Sequence, residues 1–160
     1  VKQKLTIVSG GQTGVDRAAL DTAIGLGIPH GGWCPKGRLA EDGPLSKKYA
    51  LKETRSKKYA ARTEKNIVDS DGTLILYVPP LVGGTALTQQ LAVKHQKPYR
   101  LIVLDDTSQD DPLAQWIEQQ QIRVLNIAGP RESQQPGIYE KACRFLRDWL
   151  GEEESPTNSP

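Results

Sequence analysis

The 160-residue chain has no methionine, one phenylalanine, two histidines and two cysteines. Cys34 and Cys143 cannot build a disulfide framework, so a reducing cytoplasm is the expected compartment. His30 and His95 show no ligand spacing with the cysteines, so no protein-bound metal site is expected. No apolar run approaches the roughly 18 residues of a membrane span, and Val1–Val8 lacks the layout of a secretory signal. A membrane protein, a disulfide mini-protein and a coiled coil are thereby excluded. The net charge of +2 is too small to call for nucleic acid, which is not expected as a partner.

Charge is present but uneven. Residues 36–65 hold ten Lys/Arg against four acids, a basic segment densest over 47–65. The last ten residues contain Glu152, Glu153 and Glu154 and almost nothing to bury. We therefore expect one domain over 1–150 and a disordered acidic, polar tail over 151–160.

Five short apolar runs read as buried strands: Leu5–Ser9, a weak one at His30–Trp33, Thr73–Val78, Tyr99–Leu104 and Arg123–Ala128. Helical patterns lie over Gly14–Leu26, Arg55–Val68, Thr85–His95, Pro112–Gln121 and Ile138–Leu150. This alternation predicts an α/β fold, a three-layer Rossmann-like domain. Its mostly parallel sheet would have about five strands, with helices on both faces. Strand order 2-1-3-4-5, or a 3-2-1-4-5 variant, fits such a chain.

In open parallel sheets, ligands bind beyond the carboxyl ends of the strands. The unusual residues cluster at those ends. The first strand is followed by Gly10, Gly11, Gln12, Thr13, Gly14, Asp16 and Arg17. The second is followed by Trp33, Cys34, Lys36 and Arg38, the third by Gly83, Gly84, Thr85 and Thr88, and the fifth by Arg131 and Ser133. Glycines admit backbone N–H groups to an anion, helix starts add donors, and Arg neutralises phosphate bidentately. A phosphorylated small molecule is the ligand class this chemistry suits. Gln12 and Trp33 are candidates to hold its base or ring.

Neither the dinucleotide fingerprint nor a Walker loop is present, since Gly10-Gly11 followed by Gly14 matches neither spacing. Asp16 equally suits a helix N-terminus, and Cys34, without a His partner, reads as structural rather than nucleophilic. The basic segment 47–65 reads as a solvated face or as a lid, with Arg62 and Thr63 toward an anion.

The segments Ser9–Asp21, Gly31–Arg38, Arg62–Thr63 with Asn66, Gly83–Thr85 and Gly129–Ser133 resemble the putative molybdenum carrier family, which is related to the molybdenum-cofactor carrier proteins. The match covers about residues 5–150. The wider Rossmann-like superfamily includes lysine-decarboxylase-like phosphoribohydrolases. The resemblance implies a carrier or binding protein for a molybdenum-cofactor-type pterin (molybdopterin) or a nucleotide, working in the cytoplasm as a homo-oligomer. It places phosphate contacts at Gly10, Gly11, Thr13, Gly14, Gly83, Gly84 and Thr85, with Arg17 and Arg131 beside them. Thr88 stands where the phosphoribohydrolases carry a Glu, and a hydroxyl cannot replace that carboxylate. A nucleotide-processing enzyme using Asp16 or Cys34, and a nucleotide-sensing module, are the alternative readings. Bulky residues at Gly11 or Gly84 are expected to block binding and spare the fold.

Overall fold

The computed structural model describes residues 4–105 and 112–151. The expected tail falls almost wholly outside them. Five strands form one sheet in which every neighbouring pair is parallel: β1 (Thr6–Val8), β2 (His30–Gly31), β7 (Gly72–Tyr77), β8 (Tyr99–Val103) and β9 (Val124–Ala128). Four two-residue strands lie apart from it. β3 (Trp33–Cys34) pairs with β6 (Lys52–Glu53), and β4 (Leu39–Ala40) with β5 (Gly43–Pro44). The helices are α1 (Val15–Leu26), α2 (Tyr59–Val68), α3 (Gly83–Lys94), α4 (Leu113–Gln119) and α5 (Ile138–Leu150).

The central strands are apolar without alternation because both faces are covered. In β7, Leu74 and Leu76 join the main core with Leu125 and Ile127 of β9 and residues of α1, α4 and α5. Thr73 and Ile75 point to the other face, where α2 packs against α3. Helix α5 buries Ile138, Ala142, Leu146 and Leu150, a spacing of four that makes one stripe. Its first turn is capped by Glu132, whose carboxylate accepts from the N–H groups of Gly137 and Tyr139.

Two expectations need correction. The run His30–Trp33 is not one strand. Gly32, at φ +123°, turns the chain out of the main sheet, and Trp33–Cys34 starts a separate pairing. The sheet order is β2-β1-β9-β7-β8, so the last strand of the chain sits in the middle. In order of appearance this is 2-1-5-3-4, neither order expected. Counted with the last strand as the first, it becomes 3-2-1-4-5. Long-range pairing of β9 with β1 and β7 sets this order, and no local pattern encodes it. Among the described residues, no helix is long and apolar enough to cross a membrane.

Candidate functional site

The carboxyl ends of β1, β7 and β9 meet at a crevice of about 200 Å³. Its walls come from four stretches. The loop after β1 supplies Gly10 and Gln12, and the first turn of α1 supplies Asp16; α2 supplies Tyr59, Arg62, Thr63 and Asn66. The start of α3 supplies Gly84, Thr85 and Thr88; β9 and its loop supply Asn126, Arg131 and Gln134.

Asp16 and Arg62 meet at the base. Arg62 Nη1 donates to Asp16 Oδ2 at 2.8 Å, with the Arg62 side chain 12% exposed and Asp16 4%. The Gln12 N–H donates to the same oxygen. Burial pushes the Asp16 carboxyl up, against the opposing pull of Arg62. Nε of Arg62 is buried and has no hydrogen-bond partner. Arg131 Nε likewise makes no hydrogen bond, although the Glu41 carboxylate forms an ion pair with it at 3.6 Å.

Helix α3 starts without a side-chain cap, so its first N–H groups have no intrahelical acceptor. A Cβ at Gly84 would meet nothing within 4 Å. That helix start is therefore both electropositive and sterically open. Thr88 is engaged elsewhere, donating its hydroxyl proton to Gly84 O at 2.9 Å.

The remaining sequence-predicted residues divide into groups. Thr13, Gly14 and Arg17 line a second, more open depression with Asp21 and Tyr139. There Asp21 accepts the hydroxyls of Tyr49 (2.5 Å) and Tyr139 (2.6 Å). Burial, then that carboxylate, pushes both phenols up. Arg17 grips Asp42 with two bonds of 2.9 and 3.0 Å. Arg38 donates to the carbonyls of Leu45, Ser46, Tyr49 and Leu51 and so organises residues 38–51, a strap that includes β4 and β5. Ser133 donates to Glu41. Gly83, Lys36 and Gly11 do not line the crevice. Gly11, at φ +78°, faces Leu45, and a Cβ there would stand 2.6 Å from Leu45 Cδ1. Its need for glycine comes from the strap, so the expectation that substitution would spare the fold is corrected.

Trp33 is not among the lining residues either. Its Nε1 donates to Asp69, and Lys65 lies over the ring at 4.7 Å. Cys34 is fully buried, and burial raises its thiol. Among the described residues, no group of three or more His, Cys, Asp and Glu could hold a metal ion.

Asn126 and Gln134 are the lining residues that the sequence reading misses; Tyr59 and Asn66 belong to the segments that carry the family resemblance, and Arg62 and Thr63 to the basic segment read as a solvated face or a lid. Asn126 carried a signal, a buried amide inside the apolar run of β9. Asn66 serves structure: its amide pairs with both the N–H and the C=O of Trp33.

Fold and crevice together define a Rossmann-like α/β protein whose sheet is a circular permutation of the 3-2-1-4-5 order. Residues 7–150 match the family described as "Circularly permutated YpsA SLOG family", and the chain belongs to that family. A solved structure from Syntrophus aciditrophicus SB, named "Putative molybdenum carrier protein", is 49% identical. The alignment covers 91% of this chain and 94% of that one, with a TM-score of 0.86. Among curated proteins, none matches.

Proposed function

We propose that the crevice binds the phosphate end of a small phosphorylated ligand, a molybdenum-cofactor-type pterin or a nucleotide, and that the protein carries the ligand without consuming it. The observation that carries this reading is the start of α3. It is uncapped, open above Gly84, and shares the crevice with Arg62 and Arg131. Helix N–H donors with two guanidinium groups suit a phosphate better than a neutral group. The amides of Gln12, Asn126 and Gln134 and the ring of Tyr59 on the same walls fit a nitrogen-rich ring. Molybdenum would arrive as cargo on the pterin. The name of the solved relative supports a carrier, and so does Thr88, whose hydroxyl is bonded within its helix. Val82, just before α3, and Val93 in its last turn, exposed at 56% and 59%, support self-association.

The second reading is a nucleotide-processing enzyme, favoured by one observation: Asp16 places a buried carboxylate on the crevice wall. Incubation with AMP and with a pterin phosphate, followed by recovery of the small molecule, separates the two. Carrying predicts intact ligand; cleavage of a glycosidic or phosphoester bond would favour Asp16 chemistry.

A further inference from the structure

The hairpin β4–β5 projects its tip, Glu41-Asp42, onto the loops that follow β1 and β9. An exposed two-residue turn ordinarily leaves its acids in water. Here the Glu41 side chain is only 22% exposed. Its carboxylate takes the Thr13 hydroxyl, the Ser133 hydroxyl at 2.5 Å and the Ser133 N–H at 3.2 Å, with Arg131 Nε at 3.6 Å. Two hydroxyls, a backbone N–H and a guanidinium, drawn from two loops, converge on two anionic oxygens. That is the donor set of an oxyanion site. The Glu41 N–H donates to Gln12 Oε1 at 2.8 Å, and Arg17 holds Asp42, so the tip is fastened on both sides.

We propose that Thr13, Arg131 and Ser133 form an oxyanion cradle that the protein keeps filled with its own Glu41 carboxylate, and that a phosphate group enters by displacing the hairpin tip. The cradle rests on the reading of the crevice only through Arg131, which lines both. The carboxylate and an incoming phosphate compete for the same donors, so the latch lowers apparent phosphate affinity by the fraction of molecules in which it is closed. Glycines flank the tip at Gly37 and Gly43, and a Cβ on Gly43 would meet nothing within 4 Å. Arg38 holds the rest of the strap through the carbonyls of Leu45, Ser46, Tyr49 and Leu51.

The test is calorimetric titration of the whole protein with inorganic phosphate and with pyrophosphate at low ionic strength. Glu41→Ala should bind phosphate roughly tenfold more tightly or better. Asp42→Asn, which loosens the tip but leaves Glu41 in place, should give a smaller gain and decides the matter if Glu41→Ala does not fold. Both gains should survive in combination with Gly84→Val, which fills the mouth at α3. Unchanged or weaker phosphate binding in both variants would overturn the cradle and leave Glu41 a fastener of the strap. A gain abolished by Gly84→Val would also overturn it, and would at the same time place the phosphate at α3, as the crevice reading requires.

Discussion

Arg62 lies across the face of Gly10: a Cβ at position 10 would stand 1.8 Å from Arg62 Nη1. The glycine is there for the arginine, which must cross the loop to reach Asp16 behind it. An element of the basic segment is thus tied into the site through the one residue type that leaves room.

Gly10→Ala should therefore act through Arg62. The guanidinium is the movable partner, so the loop can keep its path while Arg62 leaves Asp16. Losing one partner of a buried pair costs about 3 kcal/mol. Thermal melts should show that loss together with weakened ligand binding. An unchanged melting temperature would mean that Arg62 contributes nothing where it stands.

Gly84 and Gly11 should respond oppositely to the same change. Gly84→Val adds bulk into open space on the crevice wall, so it should abolish binding at nearly wild-type stability. Gly11→Val meets Leu45 and Leu51 and must hold φ +78°, so it should destabilise by about 2 kcal/mol or more. Denaturant curves beside a binding assay separate the two. Equal stability losses would contradict the assignment of open space at Gly84.

Glu41 makes the strap sensitive to acid. Burial alone would raise its carboxyl, but bonds from Ser133 and Thr13, with the charge of Arg131, hold it below the ordinary carboxylate range. A carboxyl lowered in the folded state contributes stability that is present above its unfolded pKa, about 4.3, and is lost as pH falls through the lower folded value. Asp42, lowered first by its bond from Arg17, acts in the same direction. The protection of residues 39–46 against hydrogen exchange, taken relative to the intrinsic rate at each pH, should therefore fall below about pH 4. In Glu41→Gln the same segment should exchange faster at neutral pH and respond less to acid. No difference between wild type and variant would show that the carboxylate does not fasten the tip.

Both thiols should be inert in the native protein. Cys34 and Cys143 are buried, and burial pushes both thiols up, so little thiolate is present at neutral pH. Alkylation followed by mass spectrometry should label them only with unfolding. Rapid native labelling of Cys34 would return it to consideration as a nucleophile.

The elements that strong local patterns encode are legible in the sequence. Ile138–Leu150 has the predicted bounds because its stripe of four apolar residues has one helical solution. The strand expected at Thr73–Val78 lies at Gly72–Tyr77, one residue earlier, and was readable because a strand buried on both faces leaves an unbroken apolar run. The strap was not legible: its strands are two residues long, and Arg38 joins it to distant carbonyls. Arg38 therefore resembled a phosphate ligand in the sequence and is a structural donor in the fold. In the crevice, Gly84 and Thr85 were legible as a glycine-rich helix start. Asn126 and Gln134 were not, because only the central position of β9 brings them there.

On the reading proposed above, the crevice at α3 receives a phosphorylated ligand. A thermal-shift comparison of wild type with Gly84→Val tests it most directly, across AMP, ATP, NAD, ADP-ribose, a pterin phosphate, molybdate and inorganic phosphate. A ligand at about 100 times its dissociation constant adds about 2.7 kcal/mol, which a melt resolves. We expect a nucleotide or the pterin to shift wild type more than phosphate does, and to leave Gly84→Val unmoved. A nucleotide or pterin shift of equal size in both proteins, or no shift from any ligand, would contradict a phosphate site at α3.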